Sequence, residues 1–142
     1  MKHHVVMALG LFAALAAGSL IAADLPRTAS PDGASLYIVS PAHGATVDQT
    51  FTVVFGLSGM GVAPAGIDKE NTGHHHLLID SDELPPMNLP MGNQVKHFGG
   101  GQTEMTLTLE PGEHTLQLIL GDKLHIPHDP PVISEQITIT VK

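Results

Sequence analysis

The residues with the clearest chemical potential are the histidines of the stretch 73–80, which reads Gly-His-His-His-Leu-Leu-Ile-Asp. This stretch is short and rich in branched apolar residues, which predicts a buried strand rather than a helix. Because side chains alternate along a strand, His74 and His76 share one face while His75 points to the other. Imidazole is the commonest protein ligand for transition metals, so His74 and His76 could chelate one ion together.

Three further histidines could complete such a site. His125 and His128 lie three residues apart in a polar loop that prolines stiffen. If this loop closes over one end of the histidine strand, its imidazoles would join those of the strand. Imidazole ligands without a thiolate suit copper(II), zinc or nickel. We therefore predict a copper or zinc site on His74, His76, His125 and His128, with His97 as the next candidate ligand.

Two loops contribute further candidate contacts to a ligand. The long loop 81–95 contains two methionines, and thioethers prefer copper(I). The turn that follows His97 contains three consecutive glycines, which would let the backbone approach a ligand closely. The predicted ligand or loop contacts are Met87, Met91, Gly99, Gly100 and Glu104.

The same histidines could instead act as internal braces of a small β fold, each bonded to a carbonyl or a carboxylate. The protein would then be a structural or interaction module that contacts a partner in the cell envelope through the loops 59–66 and 81–95. Catalysis is a third class, but no serine lies in a nucleophile elbow, and Glu104 falls on the polar face of an alternating strand. We therefore predict a binding protein rather than an enzyme.

The elements that must position these residues are strands. Period-two alternation and turn signals at a spacing of roughly ten residues favour an all-β fold, an Ig-like antiparallel β-sandwich of about seven strands. We also expect 103–109 and 114–120 to pair as a hairpin across Pro111 and Gly112. The predicted strands cover residues 36–39, 51–57, 73–80, 103–109, 114–120 and 133–141.

The N-terminal residues predict export. Residues 1–23 begin with a short basic segment, continue with an apolar stretch and end in small residues, as a signal peptide does. An uncleaved membrane anchor is the alternative, although no later stretch is apolar enough to span a bilayer. We therefore predict a periplasmic or secreted protein with a leader at 24–33 and a single β-sandwich domain at 34–142.

The composition of the chain excludes several classes of function. Its 142 residues include 6 basic and 14 acidic ones, a net charge of −8, and no basic stripe, so nucleic acid is not an expected partner. The absence of cysteine excludes disulfides, thiolate metal sites and thiol catalysis. The expected partners are a metal ion or a component of the cell envelope.

Four motifs together resemble a family of exported bacterial domains of unknown function, family 4399. The motifs are GMGVAPAG at 59–66, NTGHHHLLID at 71–80, HFGGGQTE at 97–104, and HTLQL at 114–118 followed by HIPH at 125–128. Similarity to this family extends over most of the region from Ser40 to Val141. The resemblance implies a small β domain in the cell envelope, and it carries no established activity.

Overall fold

The computed structural model describes residues 25–142, so the predicted signal peptide lies outside the described residues. This region forms nine strands, of which the three shortest contain two residues each, and it has no helix. No helical segment of 25–142 has the length and apolarity needed to cross a bilayer. The strands are β1 (Ser35–Ser40), β2 (Thr46–Val47), β3 (Thr50–Ser58), β4 (Gly61–Val62), β5 (Thr72–Ile79), β6 (Lys96–His97), β7 (Glu104–Thr108), β8 (Gly112–Gly121) and β9 (Ile137–Val141).

The strands form two sheets. The first has three strands in the order β1-β3-β7, and the second has six, in the order β2-β9-β8-β5-β4 with β6 also paired to β5. The long strands pair antiparallel, whereas β2 with β9 and β4 with β5 pair in parallel. The predicted all-β sandwich is confirmed, and its Ig-like subtype stays a prediction.

The main core joins apolar residues from both sheets. Phe55 on β3 and Leu107 on β7 pack in one cluster with Leu77 on β5 and Leu118 on β8. On β5 the inward residues alternate with His74, His76 and Leu78, as the period-two pattern predicts. The face of β5 that bears His74 and His76 is therefore turned away from this core.

The predicted hairpin between 103–109 and 114–120 is wrong. β7 pairs with β3 in the three-stranded sheet, whereas β8 lies in the middle of the other sheet, between β5 and β9. Because β8 has a neighbour on each side, no edge remains for β7. The turn at Pro111 and Gly112 therefore carries the chain from one sheet to the other, a crossing that local alternation cannot distinguish from a hairpin.

A second, smaller apolar cluster covers the outer face of the six-stranded sheet. Leu78 and Ile119 form its base, and the loop between β5 and β6 folds over them with Met91 and Val95. Met87 packs against the same cluster and is partly buried. Leu78 shares its face with His74 and His76, so this loop lies beside the histidines.

The segment before β1 docks against the loop between β8 and β9. Ala29 forms a bridge with Asp129, whose backbone N–H donates to the carbonyl of Thr28 at 2.9 Å. The guanidinium of Arg27 donates to the carbonyls of Pro127 and His128. These contacts fix the loop that carries His125 and His128.

Candidate metal centre

Four histidines bring ring nitrogens to one place: His74, His76, His97 and His125. One ring nitrogen from each lies within 4.8 Å of the other three. The Nε2 atom of His74 is 3.0 Å from His125 Nδ1 and 3.1 Å from His97 Nε2. Four nitrogens that surround a zinc ion tetrahedrally, at bond lengths of about 2.0–2.1 Å, are about 3.3 Å apart. The spacing of these nitrogens therefore suits a single ion.

Strand pairing accounts for three of the four positions. His74 and His76 project from the same face of β5 because they are two residues apart. His97 on β6 is the direct antiparallel partner of His76, and directly opposed residues place their side chains on the same face. The register between β5 and β6 therefore delivers His97 to the His74–His76 pair.

His125 arrives from a tight loop that Asp122 organises. The carboxylate of Asp122 accepts hydrogen bonds from the N–H groups of Leu124 (2.8 Å) and Ile126 (3.1 Å) and from the hydroxyl of Thr28 (2.7 Å). The N–H of His125 donates to the Asp122 carbonyl at 2.9 Å. His125 itself has a φ of 65°, a left-handed conformation that costs a non-glycine residue about 1–2 kcal/mol. The loop holds His125 in this conformation, as is common at functional sites.

The four histidines differ in their exposure to solvent. His74 and His76 have 0% and 1% of their surface exposed, whereas His97 is exposed and His125 is intermediate. The cluster therefore has a buried floor on β5 and an open rim formed by the two other imidazoles.

Several buried nitrogens at this floor have no hydrogen-bond partner among the described residues. They are both ring nitrogens of His76 and the Nδ1 atom of His74. Buried polar atoms are almost always hydrogen-bonded, and an unpaired one costs about 1–3 kcal/mol. A metal ion bound by the cluster would supply a partner for one ring nitrogen of His76, whereas the atom of His74 that faces the cluster is Nε2 and not the unpartnered Nδ1.

The electrostatic environment keeps the buried imidazoles neutral. Burial, followed by the proximity of His125 and His97, lowers the pKa of His74 to about 4, although Asp122 opposes this shift. Burial and the three neighbouring histidines lower the pKa of His76 to about 3. Burial and the nearby His125 also lower the pKa of His97. Neutral imidazoles have a free lone pair, so these rings can bind a metal at neutral pH without first losing a proton.

Gly121 makes room for the floor of the cluster. It lies opposite His74 in the β5–β8 pairing, and a Cβ built on it would lie 2.5 Å from Cε1 of His76 and 2.9 Å from the methyl carbon of Met91. Both groups therefore occupy the space over this glycine. Met91 is also tied to the His125 loop, because its N–H donates to the His125 carbonyl at 2.9 Å.

His128, which we also predicted as a ligand, is not one of the four. Its ring is buried, its Nε2 atom lies 3.1 Å from the carbonyl oxygen of Thr72, and the ring packs against Gly73. The left-handed turn at His125 and the bridge between Gly121 and Pro127 direct the two loop histidines to different places. A spacing of three residues does not distinguish these arrangements.

Two histidines away from the cluster form braces of the kind considered above. His114 donates to the Asp80 carboxylate (2.7 Å) and to the Glu110 carbonyl (2.8 Å). Two acceptors require both ring nitrogens to carry protons, and these bonds raise the pKa of His114. His43 accepts a hydrogen bond from the N–H of Thr138 at 3.1 Å.

The other predicted contacts lie around the site rather than in it. The ring of His97 packs over Gly99, whose Cβ position would be 2.3 Å from His97 Cε1. The N–H of Gly100 donates to the side chain of Gln102. Glu104 is exposed on β7, in the three-stranded sheet, opposite Val54.

Sequence reasoning did not identify Gly121, Thr28 or the structural role of Asp122. Gly121 ends an apolar strand, and nothing in the sequence indicates which side chains lie over it. The carboxylate of Asp122 accepts hydrogen bonds from N–H groups two and four residues later in the chain. This pattern is typical of a local aspartate turn. That pattern could have located the turn, although not its contact with Thr28, which is 94 residues away.

Comparison with known proteins gives a family but no activity. No curated protein and no solved structure matches the chain. The profile of one family, described as a domain of unknown function (DUF4399), matches residues 53–142, a range that includes all four clustered histidines. The chain therefore belongs to the DUF4399 family.

Proposed function

We propose that this domain binds a single transition-metal ion, copper or zinc, through His74, His76, His97 and His125. The observation that carries the proposal is the convergence of four ring nitrogens within 4.8 Å, on a floor where buried nitrogens lack other partners. The ligand set contains only imidazoles, and imidazole ligands suit copper(II) and zinc. The role is binding or buffering of the ion, which needs no further chemical group.

The test is metal uptake by protein that has been stripped of metal with a chelator. We expect about one equivalent of copper(II) or zinc(II) per chain, with micromolar or tighter affinity in equilibrium dialysis and calorimetry. His97→Ala and His125→Asn should each weaken binding at least tenfold, because each removes one ligand. His97 is exposed and His125 is half-buried, and asparagine tolerates the left-handed conformation of residue 125, so both variants should fold.

The matched control is His43→Ala, which removes an exposed histidine that lies outside the cluster. This variant should bind metal as the unchanged protein does. Weak uptake at several sites, equal in all of these proteins, would show that the histidines bind metal only nonspecifically and would refute the proposal.

The second candidate function is a structural or interaction module in which the cluster braces loops. The spacing of 3.0 Å between His74 and His125 also suits a hydrogen bond, which favours this alternative. It predicts that His125→Asn lowers the melting temperature equally with and without chelator. Metal binding predicts that the melting temperatures of the unchanged protein and of His125→Asn differ more with metal than with chelator. The reason is that the unchanged protein gains stability from the ion and the variant does not.

We also propose that the protein works in the periplasm or outside the cell. The support is the pattern of residues 1–23, with its basic start, apolar stretch and small residues. Fractionation of cells that express the intact chain should find the mature domain, lacking these residues, in the exported fraction. Retention of the full-length chain in the cytoplasm would refute this location.

A further inference from the structure

We propose that the thioether of Met91 completes the site, so that the domain holds copper(I) as well as copper(II). This inference rests on the proposed metal-binding function and assigns the metal within it. It also gives a role to the loop 81–95, called the methionine loop below. A metal site made of four imidazoles alone would not need a side chain from this loop.

The first observation is the position of Met91 at the edge of the cluster. Its side chain is 8% exposed, and its methyl carbon and Cε1 of His76 both lie within 3 Å of one point, the Cβ position of Gly121. The methyl carbon is bonded directly to the sulfur of the thioether. The thioether end of Met91 and the buried ring of His76 therefore share the space that a glycine leaves open.

The second observation is the connection between Met91 and the rim. The N–H of Met91 donates to the carbonyl of His125 at 2.9 Å, so the backbone of the methionine loop is joined to a ligand residue. Val95, four residues later, packs with Met91 against Leu78 and Ile119. The loop is therefore anchored at Met91 itself and again at Val95, while the unbranched side chain keeps the freedom to turn its sulfur.

The charge of the site favours a monovalent ion. An imidazole that binds a metal is neutral, as is a thioether, and the nearby carboxylate of Asp122 already accepts three hydrogen bonds. The cost of burying an ion grows with the square of its charge, so copper(I) costs less to hold here than a divalent ion. Thioether sulfur is a soft ligand that prefers copper(I), whereas imidazoles alone serve copper(II) and zinc.

Met87 provides a matched comparison within the same loop. It packs against the apolar cluster of Leu78 and Ile119 and is partly buried. Replacement of either methionine by leucine keeps a similar volume and removes only the sulfur, so both variants should fold. A general effect of loop substitution would then appear in both variants.

The experiment measures copper(I) affinity without oxygen, by competition with a chromophoric copper(I) chelator, and zinc(II) affinity in parallel. Met91→Leu should weaken copper(I) binding about tenfold or more while zinc(II) affinity stays within about twofold. Met87→Leu should leave both affinities within about twofold. X-ray absorption of the copper(I) form should detect a sulfur ligand that Met91→Leu lacks.

Equal copper(I) affinity in Met91→Leu and Met87→Leu would overturn the inference, and so would an equal loss of zinc(II) affinity in Met91→Leu. If the unchanged protein binds copper(II) or zinc(II) but Met91→Leu has no selective effect, only this inference fails. If the unchanged protein binds none of these ions, the proposed function itself fails.

Discussion

The three adjacent histidines of β5 have different surroundings although they share one motif. His74 and His76 point into the cluster, whereas His75 points into the core, where its ring lies 5.0 Å from that of Phe55. Both ring nitrogens of His75 are buried and have no hydrogen-bond partner among the described residues. His75 is therefore a polar ring in an apolar place, and its protonation must oppose folding.

Acid should destabilise the metal-free protein through the buried histidines of β5, and His75 is the one of them that lies outside the cluster. Burial lowers the pKa of His75 from 6.5 to about 4, so the folded ring stays neutral while the unfolded ring takes up a proton below pH 6.5. The stability is fully present above pH 6.5 and is lost as the pH falls towards 4, by about 3 kcal/mol for this residue. Urea unfolding between pH 7 and 4, with chelator present, measures the loss.

His75→Leu is the informative variant for this prediction. It replaces the ring by an apolar side chain of similar size, so it should reduce the acid loss by about 3 kcal/mol, leaving the part that His74 and His76 cause. It should also raise stability at pH 7 by about 1–2 kcal/mol. Metal uptake should not change, because His75 faces away from the cluster. His114 works in the opposite sense, since its raised pKa gives stability below pH 6.5 that is lost as the pH rises through that pKa. An acid loss as steep in His75→Leu as in the unchanged protein would contradict the assignment.

At the level of elements, the site depends on how closely β5 and β8 pack at Gly121. The imidazole of His76 lies over this glycine, close to Met91 of the second apolar cluster, and cannot move towards Met91 without disturbing it. Overpacking of a filled interior costs about 1–3 kcal/mol.

Gly121→Ala should therefore displace His76, weaken metal binding at least tenfold and lower the free energy of unfolding by about 1–3 kcal/mol. Gly61→Ala is the control, because the nearest atom to its Cβ position is a Thr72 methyl at an ordinary 3.6 Å. Calorimetric metal titration and urea unfolding measure both quantities. Unchanged metal affinity in Gly121→Ala would mean that His76 is not a ligand.

Alternation was sufficient to predict the six longer strands and the faces of the β5 histidines, because the period of two follows from the strand backbone itself. It did not predict the three strands of two residues, which are too short to show a period. It was not sufficient to select the partners of those histidines. His97 depends on the register between β5 and a strand of two residues, and His125 depends on one left-handed residue. The choice between His125 and His128 is made by this turn and by contacts across the whole chain.

At the level of the whole molecule, the segment before β1 supports the site from the opposite end of the sequence. Thr28 donates its hydroxyl to the Asp122 carboxylate, which in turn holds the loop of His125. Ala29 and Asp129 continue the contact as a bridge. Removal of this support should change the ligand geometry before it changes the fold.

Asp122→Asn tests this connection. The substitution keeps the shape of the side chain but removes the negative charge near His74, and it weakens the hydrogen bonds from Leu124 and Thr28. We expect metal affinity to fall about tenfold to a hundredfold, as for other groups that support metal ligands, with a changed visible spectrum of bound copper(II). Asp48→Asn, which alters only an exposed ion pair, is the control. Equal affinities and spectra would contradict a role for Asp122 in positioning His125.

If the four histidines bind an ion as proposed, their uneven exposure has a consequence for the rate at which that ion would leave. A competing ligand can reach the ion only from the open rim, where His97 and His125 lie, while the buried pair on β5 still holds it. Release then proceeds by stepwise replacement of the rim imidazoles, so its rate rises with the concentration of the acceptor. Such a site would keep its ion in dilute solution and would pass it on by direct contact with an acceptor that approaches the rim.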